Sequence, residues 1–207
     1  MATEDKMKLY GHPWSSNARR VQMLCEELKI PCTYETVDLM QGAQYSPAFQ
    51  KLNPNSKVPV LDDDGFLLWE SHAIMRYLAD KHKAGSWYPG DLKERAIVEQ
   101  WLDWNHSRLS PEAGKIMYNL HFAGANRNDQ AVEDGRKWLL KILPVMEGAL
   151  TQHPYLCGAQ PTLADLAVAT NIAYLEFCQY DFTPYPAIRR WYDAIKARPS
   201  FAKTAPT

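Results

Sequence analysis

Residues 7–38 decide the fold of the first part of the chain, and they read MKLYGHPWSSNARRVQMLCEELKIPCTYETVD. The short apolar run at residues 7–10 is typical of a strand. Four residues then share the i, i+3, i+4, i+7 spacing of one helical face: Val21, Leu24, Cys25 and Leu28. Pro31 interrupts that helix, and the alternation over residues 33–38 predicts a second strand. The stretch therefore predicts a β-α-β unit.

The same region continues as a small α/β domain. Two further strands, residues 58–61 and 66–69, are predicted to form a hairpin across an aspartate-rich turn. A short helix around residues 48–52 precedes the hairpin, and another helix begins at Ser71. The predicted order is β-α-β-α-β-β-α, which assigns residues 1–82 to one domain.

The rest of the chain predicts helices only. Residues 83–91 contain two Gly and one Pro, and we expect them to be a linker. The helical patterns that follow begin with a long one over residues 92–120, and no convincing strand pattern accompanies them. Residues 92–207 are therefore predicted to form an all-helical domain, and the fold class is α/β plus all-α.

Charge and composition exclude several classes of function. The 207 residues carry 23 Lys and Arg against 24 Asp and Glu, for a formal net charge of −1. The chain therefore lacks the basic field that nucleic acid binding requires. No apolar run reaches the length of a membrane span, and the polar start does not resemble a signal peptide. We expect a cytoplasmic protein with neither a nucleic acid nor a membrane partner.

The cysteines and serines exclude further chemistry. No pair of cysteines forms C-x-x-C, and no Cys or His lies at zinc-ligand spacing, so we expect no metal. The absence of C-x-x-C also disfavours a thioredoxin-like enzyme that uses its own disulfide. No G-x-S-x-G motif surrounds a serine, which disfavours a serine hydrolase. The four cysteines are Cys25, Cys32, Cys157 and Cys178.

Three short motifs could together bind a zwitterionic peptide, and each also has an ordinary structural explanation. In HPWSSNARRV, residues 12–21, polar side chains at a helix start could cap the helix or hold an anion. Pro59 could mark a sheet edge, or a cis bond after Val58 could leave the Val58 backbone groups available to an extended peptide. Glu70 could take an ammonium group while Ser71 takes a carboxylate, or Ser71 could only cap a helix.

In this order and spacing, the motifs resemble the glutathione site of the soluble, cytosolic-type glutathione transferases, in particular the serine-type theta-, phi- and delta-like classes and bacterial members. A fourth match, GAQPTLAD, lies at residues 158–165, where Thr162 and Asp165 resemble the family's N-capping motif for a buried helix. The resemblance covers nearly the whole chain. It implies a thioredoxin-like N-terminal domain that binds glutathione and a helical C-terminal domain that contributes the second-substrate pocket.

The resemblance also gives individual residues a role. Ser15 corresponds to the catalytic serine, which lowers the thiol pKa of glutathione, whereas Ser16 and Asn17 are expected as helix cap and supporting residue. Val58 would pair with the cysteinyl backbone of glutathione, with Pro59 in the cis form. The residues implied in glutathione binding are Ser15, Asn17, Gln44, Lys57, Val58, Pro59, Glu70 and Ser71.

The expected contact with the glycyl end of glutathione departs from the family pattern. Plant-type relatives carry a His-Lys pair before Ser-Pro, and this chain has Gln44 and Tyr45 at those positions. The Gln44 amide can donate to the glycyl carboxylate, but it brings no charge.

Glutathione is therefore the expected co-substrate, and a small hydrophobic electrophile is the expected second substrate. The walls of the second pocket are expected at Trp14, His106, Tyr118 and Phe122. The resemblance further implies a homodimer. Conjugation is the expected reaction, while a glutathione-dependent peroxidase or disulfide reductase using the same site, or a non-catalytic binding protein of the same fold, remains open.

Overall fold

The structure is a computed structural model that describes residues 7–206, and the chain divides into two compact units. The first unit contains the chain up to Ala84 together with the segment that begins at Pro199, and the second unit runs from Gly85 to Arg198. Residues 199–206 were predicted to belong to the helical domain, and that prediction is wrong for this segment.

The first unit is built on a four-stranded sheet in the order β2-β1-β3-β4. The strands are β1 (Met7–Gly11), β2 (Thr33–Thr36), β3 (Val60–Asp63) and β4 (Phe66–Trp69). Strand β1 pairs parallel with β2 and antiparallel with β3, and β3 and β4 form the predicted hairpin. The parallel pair needs a crossover connection, and the first helix supplies it.

Three helices of the first unit accompany the sheet: α1 (Ser16–Leu28), α2 (Pro47–Leu52) and α3 (Ser71–Lys81). Helix α1 buries the predicted Val21 and Leu24, and it ends where Lys29 adopts a left-handed conformation. The thioredoxin-like fold predicted for this region is confirmed.

The second unit contains five α-helices: α4 (Leu92–Trp104), α5 (Ser110–His121), α6 (Asp129–Gln152), α7 (Leu163–Phe177) and α8 (Pro186–Lys196). A π-helical turn, Asn105–Leu109, joins α4 to α5, so the single helix predicted over residues 92–120 is interrupted. Helix α7 is apolar around most of its surface and is the buried helix of this unit. The all-helical prediction is confirmed, since this unit contains no strand.

Helix α9 (Pro199–Lys203) belongs to the first unit because α1 binds it directly. The Arg19 guanidinium donates to the Phe201 carbonyl at 2.9 Å and lies 4.1 Å from the centre of the Phe201 ring. The Ser200 hydroxyl also donates to the Glu27 carboxylate. These contacts pair side chains on α1 with a segment far along the chain, so local sequence patterns do not reveal them.

None of the helices in the described residues is both long enough and apolar enough to cross a lipid bilayer.

Candidate active site

Ser15 is the N-cap residue of α1. Its backbone is extended, with φ −89° and ψ 109°, and its Oγ accepts a hydrogen bond from the Ala18 N–H at 3.2 Å. Ser16 is the first residue of the helix, so the prediction that Ser16 is the cap is wrong. Because Oγ uses a lone pair to cap the helix, the hydroxyl proton is still available to an acceptor outside it. The first-turn N–H groups and the helix dipole favour an anion at this end.

The turn before Ser15 is held by local hydrogen bonds. The Ser15 N–H donates to the His12 carbonyl at 2.8 Å, and the Trp14 N–H donates to His12 Nδ1 at 3.2 Å. Burial lowers the pKa of His12, although the nearby Asp38 carboxylate acts in the opposite direction. A neutral imidazole is the form that can accept at Nδ1, so the lowered pKa agrees with this hydrogen bond.

The Val58–Pro59 peptide bond is cis, as predicted. Strand β3 begins at Val60, one residue after the proline, so Val58 lies just outside the sheet ladder. Among the described residues, neither backbone group of Val58 pairs with another backbone group. The Asn53 side-chain amide donates a 2.8 Å hydrogen bond to the carbonyl of Lys57, the residue before Val58. This bond positions the chain where it reaches the edge of the sheet.

Glu70 and Ser71 stand at the start of α3. The helix begins at Ser71, and Glu70 is its N-cap residue, whose side chain makes no capping hydrogen bond. Glu70 has a φ of 71°, a conformation that costs energy for a residue with a Cβ and that clusters at functional sites. Its side chain is exposed, whereas Ser71 is buried. An acidic side chain thus stands beside a helix start that this side chain does not cap.

Gln44 lies on a short 3-10 turn, Ala43–Tyr45. Its Oε1 is buried and has no hydrogen-bond partner among the described residues. Lys57 and Asn17 are exposed, and Asn17 is in the first turn of α1. The structure therefore places all eight predicted glutathione-binding residues in the first unit.

The four residues predicted for the second pocket are distributed between the two units. Trp14 is partly buried and belongs to the first unit. His106 is exposed on the π-helical turn, and Tyr118 and Phe122 lie one turn apart at the end of α5. Tyr118 is 55% exposed, so it is a surface residue of the second unit. The assignment of these residues to a substrate pocket stays a prediction.

A buried Arg20–His72 contact was not found from the sequence. Arg20 Nη1 and His72 Nε2 are 2.9 Å apart, and both side chains are buried. Since arginine cannot act as an acceptor, Arg20 donates to His72. The contact ties α1 to α3 next to Ser71. The sequence did contain a signal that Arg20 is buried. Arg20 precedes Leu24 by four positions and therefore lies on the apolar face of α1.

Comparisons with known proteins identify the family. The model of the glutathione S-transferase N-terminal domain matches residues 5–80, and that of the C-terminal domain matches residues 129–194. The chain belongs to the glutathione S-transferase family. The probable glutathione S-transferase GSTF2 of Oryza sativa subsp. japonica is 32% identical over 205 residues, covering 96% of this chain and 95% of that protein.

Solved structures of family members share the whole fold. A delta-class glutathione transferase of Nilaparvata lugens has a TM-score of 0.88 with 37% identity, and the match covers 96% of this chain and 92% of that one. The theta-class glutathione S-transferase of Xanthomonas axonopodis pv. citri, solved with glutathione bound, has a TM-score of 0.91 with 28% identity and covers 98% of both chains. The prediction of a transferase enzyme is confirmed at the level of the family.

Proposed function

We propose that this glutathione transferase conjugates glutathione to small hydrophobic electrophiles and that Ser15 activates the thiol. The observation that carries the proposal is the position of Ser15, whose Oγ caps α1 and whose proton can be donated to sulfur. The hydroxyl is a donor in this mechanism and not a nucleophile. The thiolate of glutathione attacks the electrophile.

The required shift in thiol pKa is within reach of this arrangement. A free thiol has a pKa of about 8.5, and thiolate is the reactive form. Lowering that pKa by about two units requires roughly 2.7 kcal/mol of preferential stabilisation of the anion. A hydrogen bond to a charged acceptor contributes about 1.5–3 kcal/mol. A helix N-terminus adds about 0.3–1 kcal/mol. Ser15 at the start of α1 can therefore supply the shift without a formal base.

The three parts of glutathione are assigned to three features of the first unit. The γ-glutamyl carboxylate is held by Ser71 and the first N–H groups of α3, and its ammonium by Glu70. The cysteinyl backbone pairs with Val58 beside the cis Pro59. The glycyl carboxylate receives a neutral hydrogen bond from Gln44, and Lys57 adds a cation beside Glu70 and Ser71. Asn17 supports the sulfur end from the first turn of α1.

The proposal also covers the second substrate, the oligomeric state and the cellular location. The second substrate is an electrophile in a pocket that includes Trp14, His106, Tyr118 and Phe122. The protein acts as a cytoplasmic homodimer in detoxification and uses no metal. Light scattering at micromolar concentration tests the dimer, and a monomeric mass would contradict it.

The decisive experiment measures the thiol pKa of bound glutathione by ultraviolet thiolate absorbance against pH. The wild-type protein is compared with Ser15→Ala and with Ser46→Ala. Ser46 is a matched control because its Oγ caps α2 by accepting from the Phe49 N–H, also at 3.2 Å. We expect Ser15→Ala to raise the pKa of the bound thiol by about one to two units, since one charge-assisted hydrogen bond is lost. Ser46→Ala should leave it unchanged.

Equal pKa values in the wild type and Ser15→Ala would overturn the role of Ser15. Rates with an aryl halide, a hydroperoxide and a mixed disulfide then identify the reaction class. Activity with the hydroperoxide or the disulfide alone would replace conjugation by a peroxidase or reductase function. No turnover with any of the three, together with retained glutathione binding, would indicate a binding protein.

A further inference from the structure

Cys25 and Cys32 bring two thiols into contact outside the proposed site. Cys25 lies on the last turn of α1, where its carbonyl accepts from the Ile30 N–H at 2.9 Å as the chain reverses. Cys32 follows that reversal and immediately precedes β2. The Cys32 side chain interacts with the Cys25 thiol and raises its pKa, and Cys32 Sγ itself donates to the Thr33 carbonyl at 3.9 Å. All four cysteines of the chain are free.

The two thiols differ in their access to solvent. Cys25 is buried, and Cys32 is partly exposed. Cys25 nevertheless lines a cavity of about 480 Å³ between the end of α1 and α9. A reagent can therefore reach Cys32 from solvent, and the neighbouring Cys25 has open space beside it.

Two glutamates and two lysines line this cavity, and one of the lysines can receive an anionic group of a reagent. Of its two glutamates, Glu26 pairs with Lys203 at 2.8 Å, and Glu27 accepts from the Ser200 hydroxyl. Lys29 also lines the cavity, and its ammonium group forms no ion pair with any of the described residues. A disulfide that carries carboxylates, such as oxidised glutathione, can use this cation.

The other two cysteines have no thiol neighbour of this kind. Cys178 Sγ contacts Met117 Sδ at 3.7 Å, and Cys157 Sγ accepts from the Thr162 hydroxyl at 3.4 Å. Methionine and threonine cannot resolve a mixed disulfide. Cys157 and Cys178 are therefore internal controls for the pair.

We propose that Cys25 and Cys32 form a dithiol site that reacts with oxidised glutathione and closes to a Cys25–Cys32 disulfide. The Cys32 thiolate, having lost its proton to solvent, first attacks one sulfur of oxidised glutathione. A Cys32–glutathione bond forms, and one glutathione thiolate leaves. The sulfur of Cys25 then attacks Cys32, and the second glutathione leaves with the proton of Cys25. In sum, two protein thiols are oxidised and one oxidised glutathione is reduced to two glutathione molecules.

The order of the two steps follows from the surroundings of the thiols. The hydrogen bond with Cys32, and then burial, raise the pKa of Cys25 well above its ordinary value. Thiolate is the attacking species, so Cys25 is a poor first nucleophile. Its contact with Cys32 makes it the resolving thiol once Cys32 carries glutathione.

The test treats the folded, full-length protein with oxidised glutathione, blocks the remaining thiols with N-ethylmaleimide and maps tryptic peptides by mass spectrometry. Trypsin cleaves after Lys29, which separates Cys25 from Cys32, so the disulfide links two peptides, residues 21–29 and 30–51. We expect this linked pair in the wild type. Cys25→Ser should stop at a glutathione adduct on Cys32, and Cys32→Ser should leave Cys25 unmodified.

Two controls make the result specific. Cys178→Ser should form the linked peptides as readily as the wild type, because Cys178 does not contact the pair. Ser15→Ala should do the same, since the site does not depend on activation of bound glutathione; failure of this inference is therefore distinguishable from failure of the proposed function. A wild-type protein that yields only a stable Cys32 adduct, no adduct at all, or a bond to another cysteine overturns the proposal.

Discussion

The Trp191 indole N–H donates a 2.8 Å hydrogen bond to the Asp165 carboxylate across 26 positions of the chain. Asp165 is fully buried and also accepts from the Leu156 N–H at 3.0 Å and the Thr162 N–H at 2.8 Å. Burial raises the pKa of Asp165, while these hydrogen bonds act against that rise. One side chain therefore joins the start of α7 to α8 and to the turn before α7.

Asp165→Asn should destabilise the protein by about 3 kcal/mol or more, because an amide NH₂ would face donors and leave at least one of them unsatisfied. The measurement is urea unfolding followed by circular dichroism. Asp193→Asn is the matched control: Asp193 is 55% exposed and pairs with Arg189, which is 53% exposed. We expect its effect to be within about 0.5 kcal/mol. Similar losses in the two variants would contradict the role given to Asp165.

Ser15→Asp should separate the capping role of Ser15 from its catalytic role. Aspartate is as good an N-cap as serine and favours the helix dipole, so α1 should lose little stability. Its negative charge would repel a glutathione thiolate and raise the thiol pKa. We therefore expect thermal stability near that of the wild type with turnover reduced at least about tenfold, a loss of about 1.4 kcal/mol in transition-state stabilisation. Retained turnover would show that Ser15 acts only as a cap.

The stability of the His12 turn should depend on pH. The pKa of His12 is lowered by burial from the ordinary value of 6.5, so the unfolded chain binds the proton more readily than the folded one. Stability contributed by neutral His12 is therefore present above 6.5 and is lost as pH falls from 6.5 towards the lowered pKa.

His12→Asn is the test of this dependence, because the Asn amide oxygen can accept from the Trp14 N–H in place of Nδ1 without titrating. Melting temperatures measured between pH 5 and 7 should fall less steeply with acidity in the variant than in the wild type. Parallel curves would mean that His12 makes no contribution to the acid lability.

Arg19→Lys should release α9 from α1. Lysine has a single ammonium group and lacks the planar guanidinium that both donates to the Phe201 carbonyl and stacks on its ring. Hydrogen exchange at residues 199–206 should become faster, while exchange in α7 stays unchanged. Arg189→Lys, at an exposed ion pair of α8, is the control and should leave the α9 segment protected.

The sequence predicted what local spacing determines, and it missed what chain geometry or long-range contacts determine. The spacing of apolar residues located α1. The predicted cis bond between Val58 and Pro59 is also present. The cap of α1 was misassigned, because Ser15 and Ser16 are chemically identical and only the backbone angles decide which one precedes the helix. The membership of α9 was missed because its partner Arg19 is 182 positions away from Phe201.

The contact of α9 with α1 also bears on how the protein is synthesised. Residues 199–206 complete the first unit, yet every residue of the second unit precedes them in the chain. During translation, α1 can form and the sheet can pair, but Arg19 has no Phe201 to bind until the whole helical unit has been made. The second unit is therefore synthesised entirely between the two segments of the first unit, and the unit that begins to fold first is the last to be completed.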